Sequence, residues 1–166
     1  MEDARLLAHR SAWQGKPATR KVYDDYHRVI LEACVPGLVL DVGSGSGHFR
    51  ERADDVVAID ILAAPWLDAV ADAQALPFEH GSVANIVLLD VLHHIERPGI
   101  FFSEAVRVLK KGGRLIMIEP AITPVSWLVY NFFHSEPVEF SVDPLGITVE
   151  ATPSRDPFDA NQAIPS

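Results

Sequence analysis

Two spacings of apolar residues alternate along the chain. Continuous apolar runs bounded by glycine, proline or acidic residues suggest strands covered on both faces. They are Leu38–Val42, Val56–Asp60, Asp68–Ala71, Asn85–Asp90 and Arg114–Glu119. Helical spacing separates them. Val22, Tyr23, Tyr26, Val29, Ile30 and Ala33 fall on one face of a helix that Thr19 opens and Pro36-Gly37 ends. Arg97–Lys110 predicts a second helix, with Pro98 in its first turn and Phe102, Ala105, Val106 and Leu109 as its apolar stripe. Gly112-Gly113 closes it on this reading. His48–Ala53 reads as a short helix, and the link from Asp60 to Asp68 is too short for a crossover helix. Residues 1–18 are polar and read as mobile or lid-like. The alternation predicts an α/β domain with a parallel, doubly wound sheet, whose strand carboxyl ends share a ligand-binding rim.

Composition narrows the function. The chain has 166 residues, 48% of them hydrophobic, enough for one compact core. A formal net charge of -9 disfavours nucleic acid and anionic membranes as partners. Cys34, the only cysteine, suits a reducing compartment such as the cytoplasm. The apolar stretch Val125–Phe133 is shorter than the about 20 residues of a membrane span.

Candidate chemistry begins at Gly43-Ser44-Gly45-Ser46-Gly47, between the first strand and a helix. Glycines there permit positive φ and close approach of a ligand to the backbone. Dinucleotide sites want G-x-G-x-x-G, whereas here the third glycine comes one residue early and His48 stands in its place. Asp60 ends the second strand, where a carboxylate can accept both hydroxyls of a ribose. Asp72 and Ala73 follow the third strand, where a carboxylate and a backbone N–H can read the edge of an adenine.

These motifs resemble the class I S-adenosylmethionine-dependent methyltransferases, in particular the type 11 group related to ubiquinone and menaquinone biosynthesis. The matching segments are Val39–Gly47, Ala58–Ile61, Asp72–Phe78, Asn85–Ile95 and Arg107–Ile116, in family order and spacing. The resemblance implies a Rossmann-like sheet of order 3-2-1-4-5. It implies S-adenosyl-L-methionine as cofactor and S-adenosyl-L-homocysteine as product. It places Asp41, Gly43, Ser44, Gly45 and Gly47 at the methionine portion, Asp60 at the ribose and Ile61 on the adenine. Asp72 and Ala73 read the adenine edge, and Asp90 borders the sulfonium and the acceptor.

A sulfonium methyl is already activated, so a general base is needed only for an acceptor that must lose a proton. His93 is the candidate catalytic residue, weighed against a structural role for the His93-His94 pair. Adjacent histidines diverge, so no metal is expected at His93, His94 and Glu96. Tyr23, Tyr26 and Trp13 are candidate covers for the cofactor, with core packing by the two tyrosines as the alternative. Residues 120–135 lack Asp, Glu, Lys and Arg and are rich in aromatics. They read either as a wall for a hydrophobic acceptor or as ordinary packing or a dimer surface. The leading expectation is methyl transfer to a small-molecule acceptor at O, C or N. A non-catalytic cofactor-binding or interaction module, and a nicotinamide-dependent oxidoreductase, are the alternatives.

One domain is expected, with an N-terminal lid and helix (1–37), a cofactor-binding core (38–135) and a proline-rich tail (136–166). The family's last two strands, six and seven, are expected to be missing, as in a truncated domain. An open edge on the fifth strand, or the apolar segment 124–133, then offers a surface for a homodimer.

Overall fold

A computed structural model describes residues 3–120, and the structural statements below concern those residues. The expected helix at Pro124–Phe133 and strand at Gly146–Glu150 lie outside them. So do the expected acceptor wall and the tail.

Five strands form one parallel sheet of order β3-β2-β1-β4-β5, as the motifs imply. They are β1 (Val39–Val42), β2 (Val56–Asp60), β3 (Ala69–Val70), β4 (Val83–Leu89) and β5 (Leu109–Ile118). The central strands are buried on both faces, which is why they read as unbroken apolar runs. Alternate residues serve opposite layers. Leu40, Val42, Ile59, Ile86 and Leu88 pack with Phe101, Ala105 and Val108 on one side. Val39, Val56 and Val87 pack with Ile30 and Phe49 on the other.

Three α-helices flank the sheet: α1 (Ala4–Gln14), α2 (Pro17–Ala33) and α3 (Pro98–Val108). α1 corrects the expectation for residues 1–18. Asp3 caps it by accepting from the Arg5 N–H at 2.8 Å. Leu6, His9 and Trp13 follow at helical spacing on its inner side. The buried stripe of α2 also differs from expectation. It contains His27 and Ile30, while Val22, Tyr26 and Val29 stay exposed. A helix advances 100° per residue, so seating His27 against Phe49 turns Tyr26 outward. Likewise Phe101, Ala105 and Val108 are the buried stripe of α3, and Val106 is 78% exposed. α3 ends at Val108 because Leu109 turns extended and pairs with Val83. Gly112-Gly113 therefore sits in an irregular stretch of β5 rather than behind a helix.

Asn85 is a fully buried polar residue in β4. Its Oδ1 accepts from the Val35 N–H and its Nδ2 donates to the Val35 carbonyl, both at 2.8 Å. The side chain thus pairs like a strand residue and pins the α2–β1 connection to the sheet. Asn85→Ala strips both partners from Val35 inside the fold. We expect it to lower unfolding free energy by about 2–3 kcal/mol in urea titrations, while far-ultraviolet circular dichroism stays unchanged.

Candidate active site

The carboxyl ends of β1, β2 and β4 open into a cavity of about 510 Å³. That is the size of a pocket for a nucleoside-sized ligand. Asp41, Gly43, Ser44, Gly45, Asp60, Ile61, Asp72, Ala73 and Asp90 line it together. Two expected site residues stand back from it. Gly47 packs under Trp66, and His93 turns toward β5. Of the candidate covers, Trp13 and Tyr23 line the cavity and Tyr26 does not.

The glycine turn is shaped by contact as well as by backbone angle. Gly43 has φ of 69° and a Cβ there would lie 2.6 Å from the Val91 methyls. Gly47 has φ of 74° and a Cβ would meet the Trp66 ring at 2.4 Å. Side chains at either position would therefore push the turn away from its neighbours. Trp66 Nε1 donates to the Gly45 carbonyl at 2.8 Å, holding the turn from outside. Arg10 donates from α1 to the Ser46 carbonyl, bridges to Glu51 at 2.7 Å and stacks over Trp66.

Each acid of the rim sits in its own electrostatic setting. Asp60 accepts from Gly45 N–H and Leu62 N–H, both at 2.9 Å. Burial still raises its pKa against those two bonds. Asp72 Oδ1 accepts from the Gln74 N–H at 2.8 Å, and Gln74 in turn accepts from Arg97 at 3.0 Å. Asp90 adopts a left-handed φ of 57°, a conformation uncommon outside glycine and concentrated at functional sites. Its Oδ2 accepts from the Tyr23 hydroxyl at 2.8 Å. Burial raises the pKa of both partners.

Asp41 is the outlier. It is buried, and its Oδ2 has no hydrogen-bond partner. Burial, opposed by the Ser44 hydroxyl and aided by the charge of Asp60, pushes its pKa up to about 7. Ser44 Oγ, in the adjacent turn, is also buried without a partner. Both residues line the cavity.

Glu119, just beyond β5, was not singled out in the sequence reading. Its Oε1 accepts from Val91 N–H and Leu92 N–H at 2.9 and 2.8 Å, and its Oε2 meets His93 Nδ1 at 2.6 Å. Burial opposes its ionisation, but these three bonds outweigh that and lower its pKa. The carboxylate thus fixes the 3₁₀ turn Leu92–His94 and engages His93. His94, the next residue, lines the cavity instead. His9, His27 and His48 line it too; His48 directly follows the glycine turn, and nothing in the local sequence of His9 and His27 marks them as site residues. Among the described residues no group of His, Cys, Asp and Glu has metal-binding geometry.

The high pKa of Asp41 has a signed consequence. The folded, ligand-free protein keeps the Asp41 proton up to about pH 7, whereas the ordinary value is 3.8. Its contribution to stability therefore falls as pH rises through that window. Asp41→Asn removes the titration. In urea unfolding without ligand, the variant should exceed the wild type by a few kcal/mol at pH 8 and by much less at pH 4.5.

Parts of the chain are similar to known proteins. Residues 40–117 match the family described as methyltransferase domain. A demethylmenaquinone methyltransferase of Renibacterium salmoninarum is 35% identical over 111 residues, which cover 57% of this chain and 47% of that protein. The chain thus spans about half the length of that relative. A possible histamine N-methyltransferase from Thermotoga maritima shares the fold with TM-score 0.60 and 21% identity, covering 68% of this chain and 57% of its own. A geranyl diphosphate C-methyltransferase from Streptomyces coelicolor, crystallised with S-adenosyl-L-homocysteine, superposes with TM-score 0.54 and 18% identity, over 68% of this chain and 55% of that one. Motif order, sheet topology and these likenesses together make residues 40–117 similar to the methyltransferase-domain family, in particular to class I, type 11 members.

Proposed function

We propose that the chain transfers a methyl group from S-adenosylmethionine to a small-molecule acceptor. The observation that carries this reading is the convergence of nine motif residues on one cavity. When bound there, the cofactor supplies an activated methyl on a sulfonium. The protein's own residues do the rest. Asp60 would hold the ribose, as each carboxylate oxygen keeps accepting capacity beyond its one backbone bond. Asp72 and Ala73 would read the adenine, with Ile61 against its face. Asp41 and the Gly43–Gly47 turn would hold the methionine portion. α1 screens the cavity from water with Leu6 and Trp13. In-line transfer then needs orientation more than proton transfer.

The acceptor is proposed to be small and hydrophobic. Support comes from the apolar segment 120–135 and from the relative named as a demethylmenaquinone methyltransferase. The net charge of -9 favours such an acceptor over nucleic acid. No helix among the described residues is long and apolar enough to cross a membrane. Cys34 is unpaired, which supports work in the cytoplasm. The proposed role of His93 is positional: its bond to Glu119 orders the turn that presents Asp90 and His94 to the cavity.

Isothermal titration calorimetry with S-adenosyl-L-homocysteine tests the cofactor assignment. We expect binding by the wild type, at least tenfold weaker binding by Asp60→Ala, and no competition from NADH. A folded wild type that ignores S-adenosyl-L-homocysteine would refute it.

A further inference from the structure

The segment that follows β3 carries Asp72 and Ala73, yet residues 71–79 form neither helix nor strand. α3 supplies what shapes it. Glu104 Oε2 accepts from the Leu76 N–H at 2.8 Å, and Arg107 donates to the Leu76 and Phe78 carbonyls at 2.8 and 2.7 Å. Glu104 in turn holds the Arg107 guanidinium at 2.7 Å. This pair fixes the far half of the segment. The near half is held by Arg97, the residue that begins α3, whose Nε donates to Gln74 Oε1 at 3.0 Å. Asp72, Gln74 and Arg97 all line the cavity.

Hydrogen-bond chemistry gives the Arg97 contact a direction. A guanidinium only donates, so the Gln74 amide must turn its oxygen toward Arg97. Its nitrogen is thereby left for Asp72. Gln74 Nε2 donates to Asp72 Oδ1 at 3.3 Å, and the Gln74 backbone N–H donates to the same oxygen at 2.8 Å. Both donors converge on Oδ1. Asp72 Oδ2 takes no hydrogen bond from the described residues, and it is not among the polar atoms sealed from solvent. The relay from Arg97 through Gln74 thus occupies one carboxylate oxygen and leaves the other, a pure acceptor, to a ligand.

We propose that Gln74 and Arg97 are positioning residues that make the cavity selective for a 6-aminopurine over a 6-oxopurine. This rests on the S-adenosylmethionine reading above, with Asp72 and Ala73 at the purine edge. A 6-amino group donates to Asp72 Oδ2, and the bare N1 of that ring accepts from the Ala73 N–H. A 6-oxo ring reverses both groups: its oxygen only accepts, and its N1 carries a proton. Lone pair then faces lone pair at Asp72, and N–H faces N–H at Ala73. A loosely held carboxylate could shift and accept from the N1 proton instead. With Oδ1 pinned by two donors, Asp72 cannot follow, and the 6-oxo ring is rejected.

The test compares two nucleosides on the full chain by calorimetry: S-adenosyl-L-homocysteine and its deaminated form, S-inosyl-L-homocysteine. The wild type should prefer the adenosyl form by roughly tenfold or more. Gln74→Met and Arg97→Met each break the relay and keep an unbranched side chain in place. Each should cut that preference about threefold or more. Arg107→Met serves as the comparison, because it loosens the segment without touching the relay. It should weaken both nucleosides together and leave their ratio within about twofold. An unchanged ratio in both relay variants, or a ratio that falls as far in Arg107→Met, overturns the relay and leaves the cofactor reading standing. So does a wild type that binds the two nucleosides equally. A wild type that binds neither overturns the cofactor reading and this proposal with it.

Discussion

Four carboxylates, Asp41, Asp60, Asp90 and Glu119, stand at or near the carboxyl ends of β1, β2, β4 and β5. A parallel sheet covered on both faces brings them into a space with little water, where like charges repel and each acid must find a donor or keep its proton. The local structure of the rim follows from how each is satisfied. Asp60 takes the Gly45 and Leu62 amides and thereby closes the glycine turn against the end of β2. Glu119 takes the Val91 and Leu92 amides and His93, and so builds the turn after β4. Asp90 takes the Tyr23 hydroxyl, which draws α2 to the rim. Asp41 Oδ2 takes nothing from the protein. Burial there favours the protonated acid, so ionising Asp41 costs the fold stability.

The sheet was legible in the sequence because burial on two faces removes the ambiguity of strand patterning. Leu38–Val42 and Asn85–Asp90 were placed within a residue or two of the observed β1 and β4, and the short β2–β3 connection was read correctly as lacking a helix. The nine cavity-lining motif residues were legible for a different reason. Glycines and acids at strand ends are chemically conspicuous, and their order matched a family. Helix faces were harder. Val22, Tyr26 and Val29 look like the inner face of α2, yet the site demands that Tyr23 and His27 turn inward. α1 was missed because its inner positions include His9, a residue that hydropathy counts as polar. Glu119 read as the end of a strand, and only the fold reveals that it reaches the amides of Val91 and Leu92.

The walls of the cavity differ in how firmly they are held. β1 and β4 are anchored by two apolar layers and by the Asn85 clamp. α1 contributes one buried apolar side chain, Leu6, and otherwise depends on the Asp3 backbone bond to Ala63, the Arg10 contacts and the Trp13–His48 stack. Exposed ion pairs such as Arg10–Glu51 add little to that hold.

The central claim is that one cavity holds S-adenosylmethionine in a fixed direction, adenosine toward β2 and β3 and amino-acid head toward β1. A crystal structure of the chain with S-adenosyl-L-homocysteine measures this directly. The account predicts both ribose hydroxyls within hydrogen-bond distance of Asp60 and the ammonium on Asp41. A nucleoside bound in the reverse direction, or bound outside this cavity, would contradict it.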